Sequence, residues 1–134
     1  MEQSYLERKN HDTMNKTPIP TTARQAFKIL DGLTTAEEKL GFLRQSRLEF
    51  TCSQHFGLGL WIRNNWIYED GGKESEEERI SRDRCKEMLS GSKAGDVPFM
   101  SADQISDMFL DRYYNHLHRL SPTLIGTGNR TDSL

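Results

Sequence analysis

Residues 55–66, with the sequence HFGLGLWIRNNW, constrain the fold of this chain more than any other segment. At the helical period, apolar side chains cover most of the circumference of the helix, and the polar side is a narrow arc at Asn64 and Asn65. A helix that is apolar over most of its surface is normally buried in a core. We therefore predict an interior α-helix here, around which the rest of the chain packs.

Gly57 and Gly59 lie inside this predicted helix, where each costs about 1 kcal/mol relative to alanine. The cost is understandable if another backbone or a ligand approaches closely, because only glycine leaves room for it. We therefore predict unusually close packing at these two positions.

Periodic apolar residues predict helices on both sides of the central one. They run from Thr21 or Thr22 to Asp31 or Gly32, from Thr34 or Thr35 to about Arg47, from about Ser75 to Leu89, and from Ser101 to about Leu120. Residues 48–50 are predicted to be an extended link and residues 91–96 a flexible loop. Ser101 with Gln104 fits the capping-box pattern, as does Thr35 with Glu38, and Ser121-Pro122 is expected to end the last helix.

We predict a mainly α fold, a small single-domain bundle of four to five helices with flexible termini. The helical domain covers residues 21–120, after a flexible N-terminal arm at residues 1–20 and before a disordered C-terminal tail at residues 121–134. Residues 71–82 read as a solvated acidic segment with exposed pairs at helical spacing. A chain of 134 residues is long enough for one modest core.

The formal net charge of −2 gives no basic field, so nucleic acid is an unlikely partner. The sequence has neither an apolar run long enough for a membrane span nor the apolar core of a signal peptide, so we expect a cytoplasmic protein. The two cysteines, Cys52 and Cys85, are predicted to be reduced and partly buried thiols.

We predict no metal and no cofactor. Cys52 and His55 stand one helical turn apart, but no further close ligands accompany them and no C-x-x-C pair is present. Aspartates recur every four residues along the last predicted helix, at Asp103, Asp107 and Asp111. A solvated face explains this row better than a divalent-ion site does.

The polar residues of the central helix need partners, because leaving one buried and unsatisfied costs about 1–3 kcal/mol. In a structural interpretation, His55 bonds to a neighbouring carbonyl, Arg63 pairs with Asp107 or Asp111, and the side-chain amides close backbone gaps. In a functional interpretation, Arg63, Asn64 and His55 line a pocket for an anionic or planar ligand, since arginine presents a fixed fork of donors.

His116, Trp61 and Trp66 complete the set of candidate binding residues. His116 lies near the apolar stripe of the last predicted helix, from which it is expected to reach His55 or the edge of Trp66. The two tryptophans would anchor a partner if exposed, although such residues more often lie in the core.

The block HFGLG-x-WIRNN at residues 55–65, followed by SADQISDMFLDRYYNHL at residues 101–117, resembles a small bacterial domain family of uncharacterised function. The second block matches more loosely, at Asp103, Ser106, Tyr113 and Leu117, and the family's His-Pro-Asp-Asp opening is replaced here by residues 101–104. The resemblance covers roughly residues 48–120. It implies a compact bacterial helical domain without known chemistry.

No nucleophile is placed beside a base and an orienting group, so the sequence does not favour an enzyme. We predict a small cytoplasmic protein-interaction module, with an immunity, antitoxin or phage-conflict factor as its specific form. The alternative is a small-molecule or nucleotide-binding domain, or an enzyme, with a polar pocket at His55, Arg63, Asn64 and Asn65.

Overall fold

A computed structural model of the protein describes residues 19–68 and 76–126. Within these ranges the chain forms six α-helices, one π-helix and one 3₁₀-helix, and no strand. In chain order they are α1 (Ala23–Leu33), α2 (Ala36–Leu43), α3 (Arg47–Gln54), α4 (Leu58–Ile62), the π-helix (Arg63–Ile67), α5 (Glu76–Ser90), the 3₁₀-helix (Ala94–Asp96) and α6 (Ala102–Gly126). The predicted mainly α class and small helical bundle are confirmed.

Reciprocal capping boxes begin three of these helices. At α2 the Thr35 hydroxyl accepts from the N–H of Glu38 at 3.0 Å, and the Glu38 carboxylate accepts from the N–H of Thr35 at 2.7 Å. The same pair of bonds begins α6 at Ser101 with Gln104, as predicted, and α3 at Ser46 with Glu49. Because Ser46 starts a new helix, the extended link predicted at residues 48–50 is wrong, and α2 ends earlier than Arg47.

The central stretch is helical and largely interior, but it is not one continuous α-helix. A turn at residues 55–57 separates α3 from α4, and beyond Ile62 the chain widens into the π-helix. There the N–H of Tyr68 donates to the carbonyl of Arg63 at 2.8 Å, one residue further along than in an α-helix. The turn also leaves Phe56 74% exposed, so its expected burial on the central helix is wrong.

The element at the centre of the bundle is α6 rather than the mid-chain stretch. It contacts α2, α3, α4, the π-helix and α5, which surround it. It contributes more of the large, fully buried side chains than any other helix does: Ile105, Phe109, Leu110, Tyr113 and Leu117. A long amphipathic helix with a wide apolar stripe can bury more area than the short α4, and it therefore organises the core.

Helix ends depart from the predictions in two places. The last helix continues through Ser121 and Pro122 to Gly126, so the predicted end at this pair is wrong. A proline inside a helix removes one backbone hydrogen bond, which weakens the helix without obliging it to stop. Likewise α1 runs through Gly32 to Leu33. Residues 1–18, 69–75 and 127–134 of the predicted arm, acidic segment and tail lie outside the described residues.

Candidate functional site

The Arg63 guanidinium is buried, with only 3% of the residue exposed, and the protein itself satisfies it. Nη1 donates to the hydroxyl of Ser106 at 2.8 Å, Nη2 donates to the carbonyl of His55 at 3.0 Å, and Nε lies 3.3 Å from a carboxylate oxygen of Asp103. The expected carboxylate partner is therefore present, but it is Asp103 rather than Asp107 or Asp111. Each nitrogen of this side chain contacts a group of the protein and only 4% of the side chain is exposed, so the guanidinium is held inside the fold rather than presented to a ligand.

Gly59 packs against this arginine, as its position in the apolar helix predicted. A Cβ atom there would meet the carbonyl oxygen of Gln54 at 3.1 Å and Nη1 of Arg63 at 3.3 Å. Both neighbours belong to the protein, so the space left by the missing side chain is used for internal packing.

Each aspartate of the row on α6 contacts a basic side chain of the neighbouring chain segments. Asp107 lies 3.0 Å from Nδ1 of His55, and Asp111 lies 2.9 Å from Nη1 of Arg47. Together with the pair of Arg63 and Asp103, these contacts leave 41–61% of each aspartate side chain exposed, which agrees with the predicted solvated face. His55 differs from expectation, because its side chain contacts a carboxylate rather than a carbonyl.

His116 lies on another side of the bundle from the position predicted for it. Its Nε2 is 3.2 Å from a carboxylate oxygen of Asp31, and its ring stacks on Phe27 with centroids 4.8 Å apart. It reaches neither His55 nor Trp66. The structure thus separates His116 from the other candidate residues, and sequence reasoning did not identify Asp31 as its partner.

Trp61 and Trp66 are completely buried and pack edge to face, with centroids 5.5 Å apart. Neither indole N–H has a hydrogen-bond acceptor among the residues that the structure describes. They act as apolar core rings and cannot serve as surface anchors. Of the two asparagines beside them, Asn65 donates to the carbonyl of Trp61 at 2.8 Å, which is the backbone role predicted for it, and Asn64 is exposed.

An apolar strip on the outer side of α3 is the feature that sequence reasoning missed. We call Leu48, Cys52 and Phe56 the α3 strip: Leu48 and Cys52 lie one helical turn apart on α3, Phe56 follows four residues later in the turn after it, and all three are exposed. Leu48 is 73% exposed and Phe56 is 74% exposed. The S-x-x-E pattern at residues 46–49 could have revealed the helix and hence this alignment.

The two thiols differ more than predicted. Cys52 is exposed within the α3 strip, so its expected partial burial is wrong. Cys85 is fully buried in α5, and burial raises the pKa of its thiol to about 12. Only Cys52 can therefore react readily with thiol reagents, since the thiolate is the nucleophile.

A cavity of about 290 Å³ lies where α5 meets the start of α6, with Arg82 and Phe99 in its lining. Its charged side chains are paired within the fold, because Nε of Arg82 lies 3.2 Å from a carboxylate oxygen of Glu78 and Asp103 lies 3.3 Å from Nε of Arg63. The guanidinium of Arg82 also lies 5.2 Å from the centre of the Phe99 ring. This cavity therefore presents no uncompensated charge to a ligand.

Two further findings apply to the described ranges alone. No helix there combines the length and the apolar character that a membrane span requires. No cluster of three or more histidine, cysteine, aspartate or glutamate side chains in those ranges is placed to hold a metal ion.

Comparison with known proteins finds a similarity to one family and no activity. Residues 19–83 match a family model described as Domain of unknown function (DUF6794). The match runs from the start of α1 into α5 and includes the central stretch. No curated protein and no solved structure matches the chain. The expected resemblance to an uncharacterised domain family is confirmed, although the matched span begins and ends earlier than residues 48–120.

Proposed function

We propose that this protein is a protein-binding module and that the α3 strip is its contact surface. The observation that carries the proposal is the exposure of Leu48 on α3 and of Phe56 in the turn that follows it. Isolated exposed apolar residues are ordinary, but Leu48 and Cys52 on α3 and Phe56 directly after it form a group of three exposed apolar side chains within nine residues. A partner that covers this group would remove two large apolar side chains from water.

The surroundings of the strip suit burial against a partner. Asp107 and Asp111, on the neighbouring α6, are paired with His55 and Arg47. Polar side chains that contact one another at the edge of an apolar surface form a polar rim around it. The aromatic ring of Phe56 packs edge to face on His55, with centroids 4.8 Å apart, which orients it as an anchor.

The alternative of a ligand pocket at His55, Arg63, Asn64 and Asn65 is less well supported. The guanidinium of Arg63 contacts three groups of the protein, and the side-chain amide of Asn65 donates to the backbone carbonyl of Trp61. An immunity, antitoxin or phage-conflict role is a specific form of the proposed module, in which the partner would be a toxin or a phage protein.

Site-directed crosslinking tests the proposal. A thiol-reactive benzophenone placed on Cys52 of the full chain stands in the middle of the strip, while the buried Cys85 stays unlabelled. Illumination in extract of the source cells should give one discrete crosslinked partner. The same labelled chain carrying Leu48→Ser and Phe56→Ser should lose that product.

Ile80→Ser provides the matched control, because Ile80 is an exposed apolar residue of α5 outside the strip. This variant should keep the crosslink. A crosslink between two copies of the chain would assign the strip to self-association. Products that persist in the double variant, or no discrete product at all, would refute the proposal.

A further inference from the structure

We propose a second binding site, for a small phosphate-bearing molecule, in the pocket between α1 and α6. This pocket has a volume of about 370 Å³ and is lined by Arg24, Phe27, His116 and Arg119. It shares no residue with the α3 strip. The inference is therefore independent of the protein-binding function proposed above.

The two arginines of this pocket have no counter-ion among the described residues. Arg24 and Arg119 are exposed, and neither forms an ion pair or side-chain hydrogen bond within residues 19–68 and 76–126. By contrast, Arg47, Arg63 and Arg82 are paired with carboxylates. Two like charges beside one concave surface raise its positive potential, which an anionic ligand would relieve.

Asp31 is an acidic residue that contacts this lining through His116. Tyr113 donates its hydroxyl to one carboxylate oxygen of Asp31 at 2.8 Å, and Nε2 of His116 lies 3.2 Å from the other. These contacts, together with stacking on Phe27, hold the imidazole ring in one orientation. The pocket therefore combines a positioned imidazole with two guanidinium groups whose donors are available.

The chemistry and the size of the pocket favour a small phosphate ester over other anions. Guanidinium groups match phosphate oxygens as paired donors, and two of them can bind one dianionic group. The ring of Phe27 gives the body of the ligand an apolar wall. The volume falls within the range of about 300–1,000 Å³ that is typical of small-molecule sites, whereas an acidic protein partner would need charge spread over an open face.

Isothermal calorimetry on the full chain tests the site with phenyl phosphate, a phosphate group on a compact aromatic body. Wild-type protein should bind phenyl phosphate more tightly than inorganic phosphate and should not bind phenol. The Arg24→Gln/Arg119→Gln variant should weaken binding about tenfold or more, because charge-assisted hydrogen bonds are lost. Added salt should also weaken the binding of phenyl phosphate to the wild-type protein, because it screens the charges of the arginines.

The matched control is Arg44→Gln/Arg84→Gln, which changes the net charge equally at two exposed arginines that lie outside the pocket lining. It should bind phenyl phosphate as the wild type does, and both variants should melt at the wild-type temperature without ligand. If both variants bound phenyl phosphate equally weakly, the net charge of the protein rather than this pocket would account for binding, and the proposal would be overturned. Failure of the wild type to bind phenyl phosphate, or binding of poly-L-glutamate in its place, would overturn it as well.

Discussion

Nη2 of Arg63 donates a hydrogen bond to the backbone carbonyl of His55 at 3.0 Å. This bond ties the first residue of the π-helix to the turn that ends α3. Because Nη1 of the same group reaches Ser106 on α6 at 2.8 Å, one side chain joins the turn after α3, the π-helix and α6. The arginine that the sequence marks as a candidate ligand-binding group therefore acts as an internal tether.

Replacement of Arg63 by alanine should destabilise the fold strongly. The change leaves the His55 carbonyl and the Ser106 hydroxyl without a donor and opens a cavity beneath α4. We expect a loss of about 3–5 kcal/mol in the free energy of unfolding, measured by urea denaturation. Arg44→Ala, at an exposed arginine, should change it by less than about 0.5 kcal/mol. A fully stable Arg63→Ala protein would contradict the tether.

Gly59→Ala and Gly41→Ala should change stability in opposite directions, although both replace a helical glycine. At Gly59 the added methyl group would lie 3.1 Å from the Gln54 carbonyl oxygen, so we expect a loss of about 1–3 kcal/mol. At Gly41 nothing lies within 4 Å of the new atom, so alanine should gain up to about 1 kcal/mol from its higher helix propensity. Thermal denaturation of the two variants side by side measures this contrast, and gains at both positions would disprove it.

The buried Cys85 thiol should make stability fall in alkaline solution. Burial raises its pKa in the folded protein to about 12, whereas the unfolded chain titrates at about 8.5. Its contribution is therefore complete below the unfolded value and is lost as the pH rises toward 12, by up to about 1.4 kcal/mol per pH unit. The stability difference between the wild type and Cys85→Ala should shrink over this range. Cys52→Ala, at the exposed thiol, should keep the wild-type pH dependence.

Ser101→Ala should remove the capping box of the central helix. The hydroxyl of Ser101 accepts from the N–H of Gln104 at 3.1 Å, and that N–H would lose its acceptor. We expect a loss of about 1 kcal/mol in the free energy of unfolding, measured by urea denaturation. Ser92→Ala removes an exposed hydroxyl without a capping role and should be neutral within about 0.5 kcal/mol. If the two substitutions changed the free energy of unfolding equally, the capping role of Ser101 would be contradicted.

The candidate surface was only partly predictable. The sequence pattern predicts a link at Leu48 and an interior helix at Phe56, whereas Leu48 is exposed on α3 and Phe56 is exposed in the turn after it. The two differences have separate sources. The capping box at Ser46 with Glu49 begins a helix where an extended link is expected, and the turn at residues 55–57 interrupts the expected interior helix. Once α3 is present, its period places Leu48 and Cys52 on one side, and Phe56 follows in the turn.

The sequence alone determined the features that depend on neighbours within a few residues. Capping residues at Thr35 and Ser101, the apolar stripe of α6 and the four-residue spacing of its aspartates all follow from the geometry of a single helix. Only the tertiary structure decided that Arg63 pairs with Asp103 and that His116 contacts Asp31, because these contacts depend on how helices lie across one another. A helix presents several equivalent carboxylates at one spacing, and the angle and offset of the packed neighbour select one of them.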